Sequence, residues 1–275
     1  PNDVFLELIE TMKRSAAEVG LNYLVLIAFS VVAIIPLVGV VLSAVTPTDD
    51  PQGGFRIPSA IHLGNFVEAW NRGHFSSYML SSVFVTVCVV ALTVILATLA
   101  GFAFARMEFP GRNALFYLLL SGLLLPAEAF IIPLYYNLRA VGLTDTYWAL
   151  ILPQAAQSLA FGIFWMRNQF RTFPTEIMEA GRLDGATDWR LLWRIMVPPS
   201  TPSIITMCLL VSMWTWNEFL IPLIMVSGES LRTAPLGLAF FQGQHVTEYS
   251  LLAAAGTIVA LPIVVLYFFL QRRFI

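Results

Sequence analysis

Charge is what this sequence has least of. Asp, Glu, Lys and Arg make up 12% of its 275 residues, about half the share of a water-soluble domain. That deficit excludes a soluble globule. Lysine is nearly absent, Lys13 being the only one. A P-loop needs a lysine on the β- and γ-phosphates after a glycine-rich turn, and Lys13 has no such setting, so the chain cannot use ATP by that route. Cysteine is confined to Cys88 and Cys208, both inside apolar runs, which argues against a disulfide framework and leaves the redox compartment undecided. His62, His74 and His245 are the only histidines and lie far apart. No H-E-x-x-H, no G-x-S-x-G and no Cys/His ligand spacing occurs, so neither a metal site nor a catalytic residue is expected. A net charge of −2 offers nothing to nucleic acid.

What fills the chain instead is apolar: 58% of its residues. A helix needs about 20 apolar residues to cross the roughly 30 Å hydrocarbon core. Six stretches qualify, approximately 21–46, 77–105, 113–138, 146–168, 202–227 and 250–271. The expected fold is all-α, a polytopic membrane protein with six transmembrane helices. Pro36, Pro133, Pro153, Pro222 and Pro262 fall inside these runs and predict kinks or local unwinding.

Arginine and lysine set the orientation, because the cytoplasmic side holds their excess. With the N-terminus inside, inner segments carry Lys13, Arg14, Arg106, Arg112, Arg167, Arg171, Arg182, Arg190, Arg194, Arg272 and Arg273. Outer loops carry Arg56, Arg72, Arg139 and Arg232. Both termini are thus expected in the cytoplasm. Residues 1–20 do not read as a cleavable signal peptide, since Asp3, Glu7 and Glu10 stand where an n-region is basic. Phe5, Leu8, Ile9, Met12, Ala16 and Val19 recur at helical spacing and predict an N-terminal amphipathic helix on the membrane face or against a partner. The organisation expected is this helix over 1–20, a membrane domain over 21–271 and a cytoplasmic tail over 272–275.

The stretch 173–199, between the fourth and fifth runs, is too long and regular for a passive connector. Pro174 can open a short helix, Gly185 can break it, and Thr187 with Asp188 can cap a second one. Two short helices are therefore expected to meet at a glycine elbow. In the second, Trp189, Leu192 and Trp193 predict an apolar face, with Arg190 and Arg194 as an i, i+4 cationic pair beside it. Such a helix can rest on anionic lipid headgroups or plug into a groove of a partner protein, where Trp and Arg are typical anchors. Pro198, Pro199 and Pro202 end the unit. The one G-x-x-x-G, Gly181 to Gly185, lies in this charged loop rather than in a span, so helix dimerisation is not its expected use.

Glu179-Ala180-Gly181, three residues, Gly185, nine residues, Ile195, one residue, then Val197-Pro198 resembles the EAA loop of permease subunits in bacterial ABC importers, whose pattern is E-A-A-x3-G-x9-I-x-L-P. Gly181 replaces an alanine and Val197 a leucine. Gly142-Leu143-Thr144-Asp145-Thr146-Tyr147-Trp148-Ala149-Leu150-Ile151-Leu152-Pro153 and Trp216-Asn217-Glu218-Phe219 further resemble the carbohydrate-uptake branch, of the maltose-permease-G type. The resemblance covers roughly residues 20 to 271.

The resemblance implies a non-catalytic pore half in the bacterial plasma membrane. It implies a second homologous permease, two copies of a P-loop ATPase that bind ATP and Mg, an extracytoplasmic solute-binding protein, and no cofactor on this chain. By the same carry-over, Glu179, Ala180, Gly181, Asp184, Gly185, Ala186, Trp189, Arg190, Trp193, Arg194, Ile195 and Pro198 form the ATPase-coupling element. Glu179 would pair with a basic residue of the ATPase, Gly185 would make the turn, and Asp184 would brace it. Candidate pathway or gate residues are Asn217, Glu218, Glu128, Gln154 and Gln157, since polar groups at membrane depth face a bundle interior or a water-filled path. Ser158 could join them, or these groups could simply bond neighbouring helices. By resemblance the outer loop 228–249, with Arg232, Gln242, Gln244, His245 and Glu248, faces the binding protein. The alternative is an ion-coupled secondary transporter or channel working through Glu128 or Glu218.

Overall fold

The computed structural model describes residues 16–48, 57–242 and 248–271. The expected N-terminal amphipathic helix and the C-terminal tail lie almost wholly outside them, as do Gln244 and His245. Among the described residues the chain is helical, with no β-strand. The helices are α1 (Ala16–Ala44), α2 (Gly64–Arg72), α3 (Phe75–Arg106), α4 (Arg112–Ser121), α5 (Ala127–Ala140), α6 (Tyr147–Arg171), α7 (Thr175–Leu183), α8 (Asp188–Arg190), α9 (Thr201–Trp216), α10 (Leu220–Met225), α11 (Ala234–Gly237) and α12 (Tyr249–Leu270).

Four of these, α1 from Glu18, α3, α6 and α12, are long and apolar enough to cross a bilayer, and they match the first, second, fourth and sixth predicted runs. The other two runs depart from a continuous span. Run 113–138 is split: α4 and a 3-10 turn reach Leu124, and α5 leaves at 106°. Pro126 stands at the bend as the N-cap of α5, since the residue before a proline is pushed out of helical geometry. Run 202–227 stops at Trp216 and resumes as α10 after a three-residue break. The five prolines expected to kink their spans all lie inside helices that continue through them.

The bundle is organised on the crossing of α3 and α6. Lipid tails are as apolar as leucine, so membrane helices gain little from hydrophobicity and associate where small residues let backbones approach. Here the approach is through glycine. A methyl at Gly101 would meet Met166 Cβ at 2.7 Å, and one at Gly162 would meet Ala97 Cβ at 2.8 Å. Ala97 and Gly101 on α3, and Ser158 and Gly162 on α6, are each four apart and so share a face. α9 packs against both helices, and α12 joins α9 to α1 and α2. At the end of α1, the buried Asn65 amide donates to the Ala44 and Thr46 carbonyls, at 2.9 and 2.8 Å, satisfying acceptors that a helix terminus leaves free.

Candidate functional site

The elbow forms as the sequence predicts, with one change of register. Pro174 is the N-cap of α7 rather than its first residue. α7 ends when Gly185 turns left-handed at φ +78°, a conformation that costs a side-chain-bearing residue about 1–2 kcal/mol. Ala186 N–H then reaches the Gly181 carbonyl at 2.9 Å and Gly185 N–H the Arg182 carbonyl at 3.0 Å. These two bonds are the Schellman closure. Asp184 is the C-cap residue, its N–H on Ala180 O, and Arg182 and Asp188 bridge the turn at 3.2 Å. Across the turn, Thr187 caps α8 by accepting from Arg190 N–H.

α8 at once widens into a π-helix over Leu191–Met196. Pro198 and Pro199 have no N–H to continue an α-ladder, and Val197 N–H bonds Leu192 O, five residues back. The widening changes which side chains are buried. Leu191, Leu192 and Met196 go into the core, Trp193 is half-buried, and Trp189 is 63% exposed. The expected Trp189/Leu192/Trp193 face is therefore corrected to Leu191/Leu192/Met196, with Trp189 left outside the core and Trp193 at its edge. The two indoles meet edge to face at 5.5 Å, and the buried Trp193 Nε1 has no acceptor, a cost of about 1–3 kcal/mol. Glu179, Arg190 and Arg194 are exposed, and neither Glu179, Arg190 nor Arg194 is ion-paired among the described residues.

Gly181 is the seat of the elbow. A methyl there would meet Leu191 Cδ2 at 2.6 Å and Ile195 Cδ1 at 3.1 Å. The glycine that stands where the EAA pattern has alanine thus admits the Leu191 side chain. Below the elbow, the Arg106 guanidinium donates to the Phe170 carbonyl at 2.7 Å and to that of Phe173. This ties the end of α3 to the segment that launches α7.

The opposite end is held by side chains that cap backbone. Asp145, left-handed at φ +60°, accepts from Ser227 N–H at 2.8 Å and Gly228 N–H at 2.9 Å, while its own N–H reaches Met225 O at 3.0 Å. These bonds to Gly228, and then Ser227, hold its carboxyl below the usual range. Arg72 is pushed further up by Glu248, then by Glu68, both bonded to it. In the Trp216-Asn217-Glu218-Phe219 element, Trp216 Nε1 donates to Val259 O at 2.9 Å, three residues before Pro262. Asn217 caps α9 by donating to Met213 O, and Glu218 Oε1 accepts from Leu220 and Ile221 N–H at 2.9 and 3.0 Å, starting α10.

The candidate pathway residues are not brought together in one lining. Gln154 and Ser158 are buried between helices, with Gln154 Nε2 on Leu150 O and its Oε1 unpartnered, while Gln157 on the same helix is exposed. Glu128 is exposed in the first turn of α5, where a helix N-terminus favours an anion. Sequence reasoning missed the Asp145 clamp and the Gly101/Gly162 seam; the small-xxx-small spacing of the latter was the available signal. Cys88 and Cys208 are free thiols, and the described residues contain no group of three or more metal-ligating side chains.

Comparison with known proteins gives one consistent picture. Residues 94–275 match the family described as "Binding-protein-dependent transport system inner membrane component". "Probable ABC transporter permease protein YurM" of Bacillus subtilis is 39% identical over 254 residues, 92% of this chain and 82% of that protein. The arabinooligosaccharides transport system permease protein AraQ of Halalkalibacterium halodurans is 32% identical over 96% of both chains. The diacetylchitobiose uptake system permease protein NgcG of Streptomyces coelicolor is 31% identical over 92% of this chain and 85% of its own. A chain in a crystal structure of a bacterial ABC transporter involved in import of the acidic polysaccharide alginate superposes with a TM-score of 0.81, at 20% identity, over 95% of this chain and 99% of that one, which establishes the fold.

Proposed function

We propose, because this chain belongs to the family of binding-protein-dependent transport system inner membrane components, that it forms half of the translocation pathway of an ATP-driven importer for a carbohydrate. The solute class follows from the names of its relatives, which handle arabinooligosaccharides and diacetylchitobiose. A second, homologous permease completes the pore, two ATPase subunits supply ATP and Mg chemistry, and an extracytoplasmic binding protein delivers the solute. This chain does no covalent chemistry.

The observation that carries the coupling reading is the exposed elbow. Glu179, Trp189, Arg190 and Arg194 project from a short, sharply turned unit with no covering element among the described residues, while Leu191, Leu192 and Met196 fasten its root to the core. Closure of an ATPase dimer would push the knob, and the buried root would pass the displacement to α6 and α9 and on to the bundle. Glu179, Ala180, Gly181, Asp184, Gly185, Ala186, Trp193, Ile195 and Pro198 shape or line that contact. With both termini inside, the elbow lies on the cytoplasmic face. Asn217, Glu218, Glu128, Gln154 and Gln157 stay candidates for the pathway or its outer gate. Glu218 serves there as a helix cap that fixes the break between α9 and α10.

The test is reconstitution of the full transporter in liposomes, measuring solute uptake and ATP hydrolysis stimulated by the loaded binding protein. Gly185→Val, which places a β-branched residue at positive φ, is expected to lower both roughly tenfold, since about 1–2 kcal/mol of strain is relieved only by moving the knob. Gly185→Asn, which tolerates that φ, should stay near wild type. Uptake unaffected by deletion of residues 183–194, with the ATPase still assembled, would sink the coupling reading.

A further inference from the structure

Where α3 and α6 end beside the start of α4, four guanidiniums gather. Arg106 reaches the Phe170 and Phe173 carbonyls. Arg167 donates to Phe104 O and lies 3.9 Å over the Phe116 ring. Arg112 donates to Met107 O at 2.9 Å, and exposed Arg171 stands within electrostatic reach of both Arg106 and Arg167. None of the four pairs with a carboxylate; the ion pairs among the described residues lie elsewhere. The exposed Glu108 lines a cavity of about 340 Å³ with Arg112 and Asn113 but makes no ion pair with any of the four. The four unpaired positive charges repel each other at the rim of a low-dielectric slab.

The same helix continues as an apolar row. Arg112, Leu115 and Leu118 follow at i, i+3 and i+6 on α4, and Leu115 and Leu118 are both exposed. A cationic head with an apolar stripe running from it into the span is complementary to an anionic head with an acyl tail. We propose that this cluster is a binding site for an anionic phospholipid, its phosphate seated between Arg112 and Arg171 and its tail along Leu115 and Leu118. Arg106 and Arg167 are held half-buried by carbonyls and an aromatic ring, so they hold the site's field, while Arg112, bonded through one nitrogen at the surface, and exposed Arg171 engage the headgroup. A free phosphate would use the charge but leave the apolar row idle; an acidic protein segment would meet the same charge from the water side. The site lies apart from the elbow's exposed face and goes beyond the transport reading.

The experiment is native mass spectrometry of the intact transporter taken from nanodiscs with equal phosphatidylglycerol and phosphatidylcholine of matched tails. Phosphatidylglycerol should be retained several-fold over phosphatidylcholine. Arg112→Gln with Arg171→Gln should bring retention of the two lipids close to equal, each arginine being worth up to about fivefold, while Arg139→Gln, at the far end of α5, leaves the enrichment unchanged. If the double variant does not accumulate, Arg171→Gln alone decides, because its side chain makes no hydrogen bond or ion pair among the described residues. Equal retention of the two lipids, or unchanged enrichment in the variants, overturns the proposal. Loss of phosphatidylglycerol to added inorganic phosphate identifies a free-anion site and also overturns it. Retention is read without transport, so its failure leaves the coupling reading standing.

Discussion

Glycine does opposite work in two regions of this chain. At the crossing of α3 and α6, Gly101 and Gly162 are ordinary helical residues, valuable because nothing projects from them, and the Cβ atoms of Met166 and Ala97 come within 2.7 and 2.8 Å of where a methyl would stand. At the elbow, Gly185 has open space around it and is valuable for its φ of +78°. Removing a Cβ brings helices together in the first place and lets the chain reverse in the second. The crossing is consequently close-packed and buried, whereas the elbow is an exposed knob on a buried root. Gly181, although part of the elbow, is of the first kind, a helical glycine whose bare Cα is the socket for Leu191.

This contrast can be broken by mutation. The largest effect is expected at the crossing: Gly162→Leu drives a branched side chain into Ala97, Thr93 and Met207 and should cost about 3 kcal/mol or more. Thermal unfolding of the detergent-solubilised chain, or its failure to accumulate in the membrane, checks this; an unshifted melting curve would mean that the helices do not pack so closely. Next comes Gly181→Ala, which restores the family's residue yet is expected to harm this chain by about 1 kcal/mol and to lower stimulated ATP hydrolysis severalfold in the reconstituted transporter. Adding Leu191→Val removes the obstructing carbon and should recover coupling at some cost in stability; a harmless Gly181→Ala would refute the socket.

The smallest effect is expected at the Asp145 clamp. Its carboxyl is lowered by the Gly228 and Ser227 N–H groups, so the unfolded chain binds the proton more readily. The clamp's stabilisation is complete above the ordinary carboxylate range and is lost as pH falls through the lowered value, below about pH 4. Asp145→Asn keeps an acceptor but cannot titrate. Wild type should therefore lose more melting temperature than the variant on acidification from pH 5 to about pH 3, with parallel curves counting against the clamp.

Much of the elbow was legible because its determinants are local. The glycine that must turn, the threonine that caps and the prolines that stop a helix act over a few residues, and they stand close together from Pro174 to Pro202. The π-helix was not legible, since hydrophobic spacing assumes the α-period that Pro198 and Pro199 disturb. Nor was Glu218's part: a carboxylate in an apolar run suggests a path for solute or ions, yet it caps a helix that hydropathy does not separate from the preceding span. Asp145 stood inside a noticed motif without a role, because its partners lie 82 and 83 residues away.

By itself the sequence determined the medium and the hinge: scarce charge and long apolar runs commit the chain to a bilayer, and sterics at single residues bend it where it bends. Only the tertiary structure decided which helix met which. α3 and α6 pair through glycines that no hydropathy window weighs, Gln154 is buried while Gln157 three residues on is exposed, and arginines that look alike in sequence are divided between a carboxylate pair at Arg72 and a cluster that no carboxylate pairs. Secondary structure follows from forces within a few residues. The approach of distant segments depends on shape and on unsatisfied backbone groups that exist only once the helices have packed.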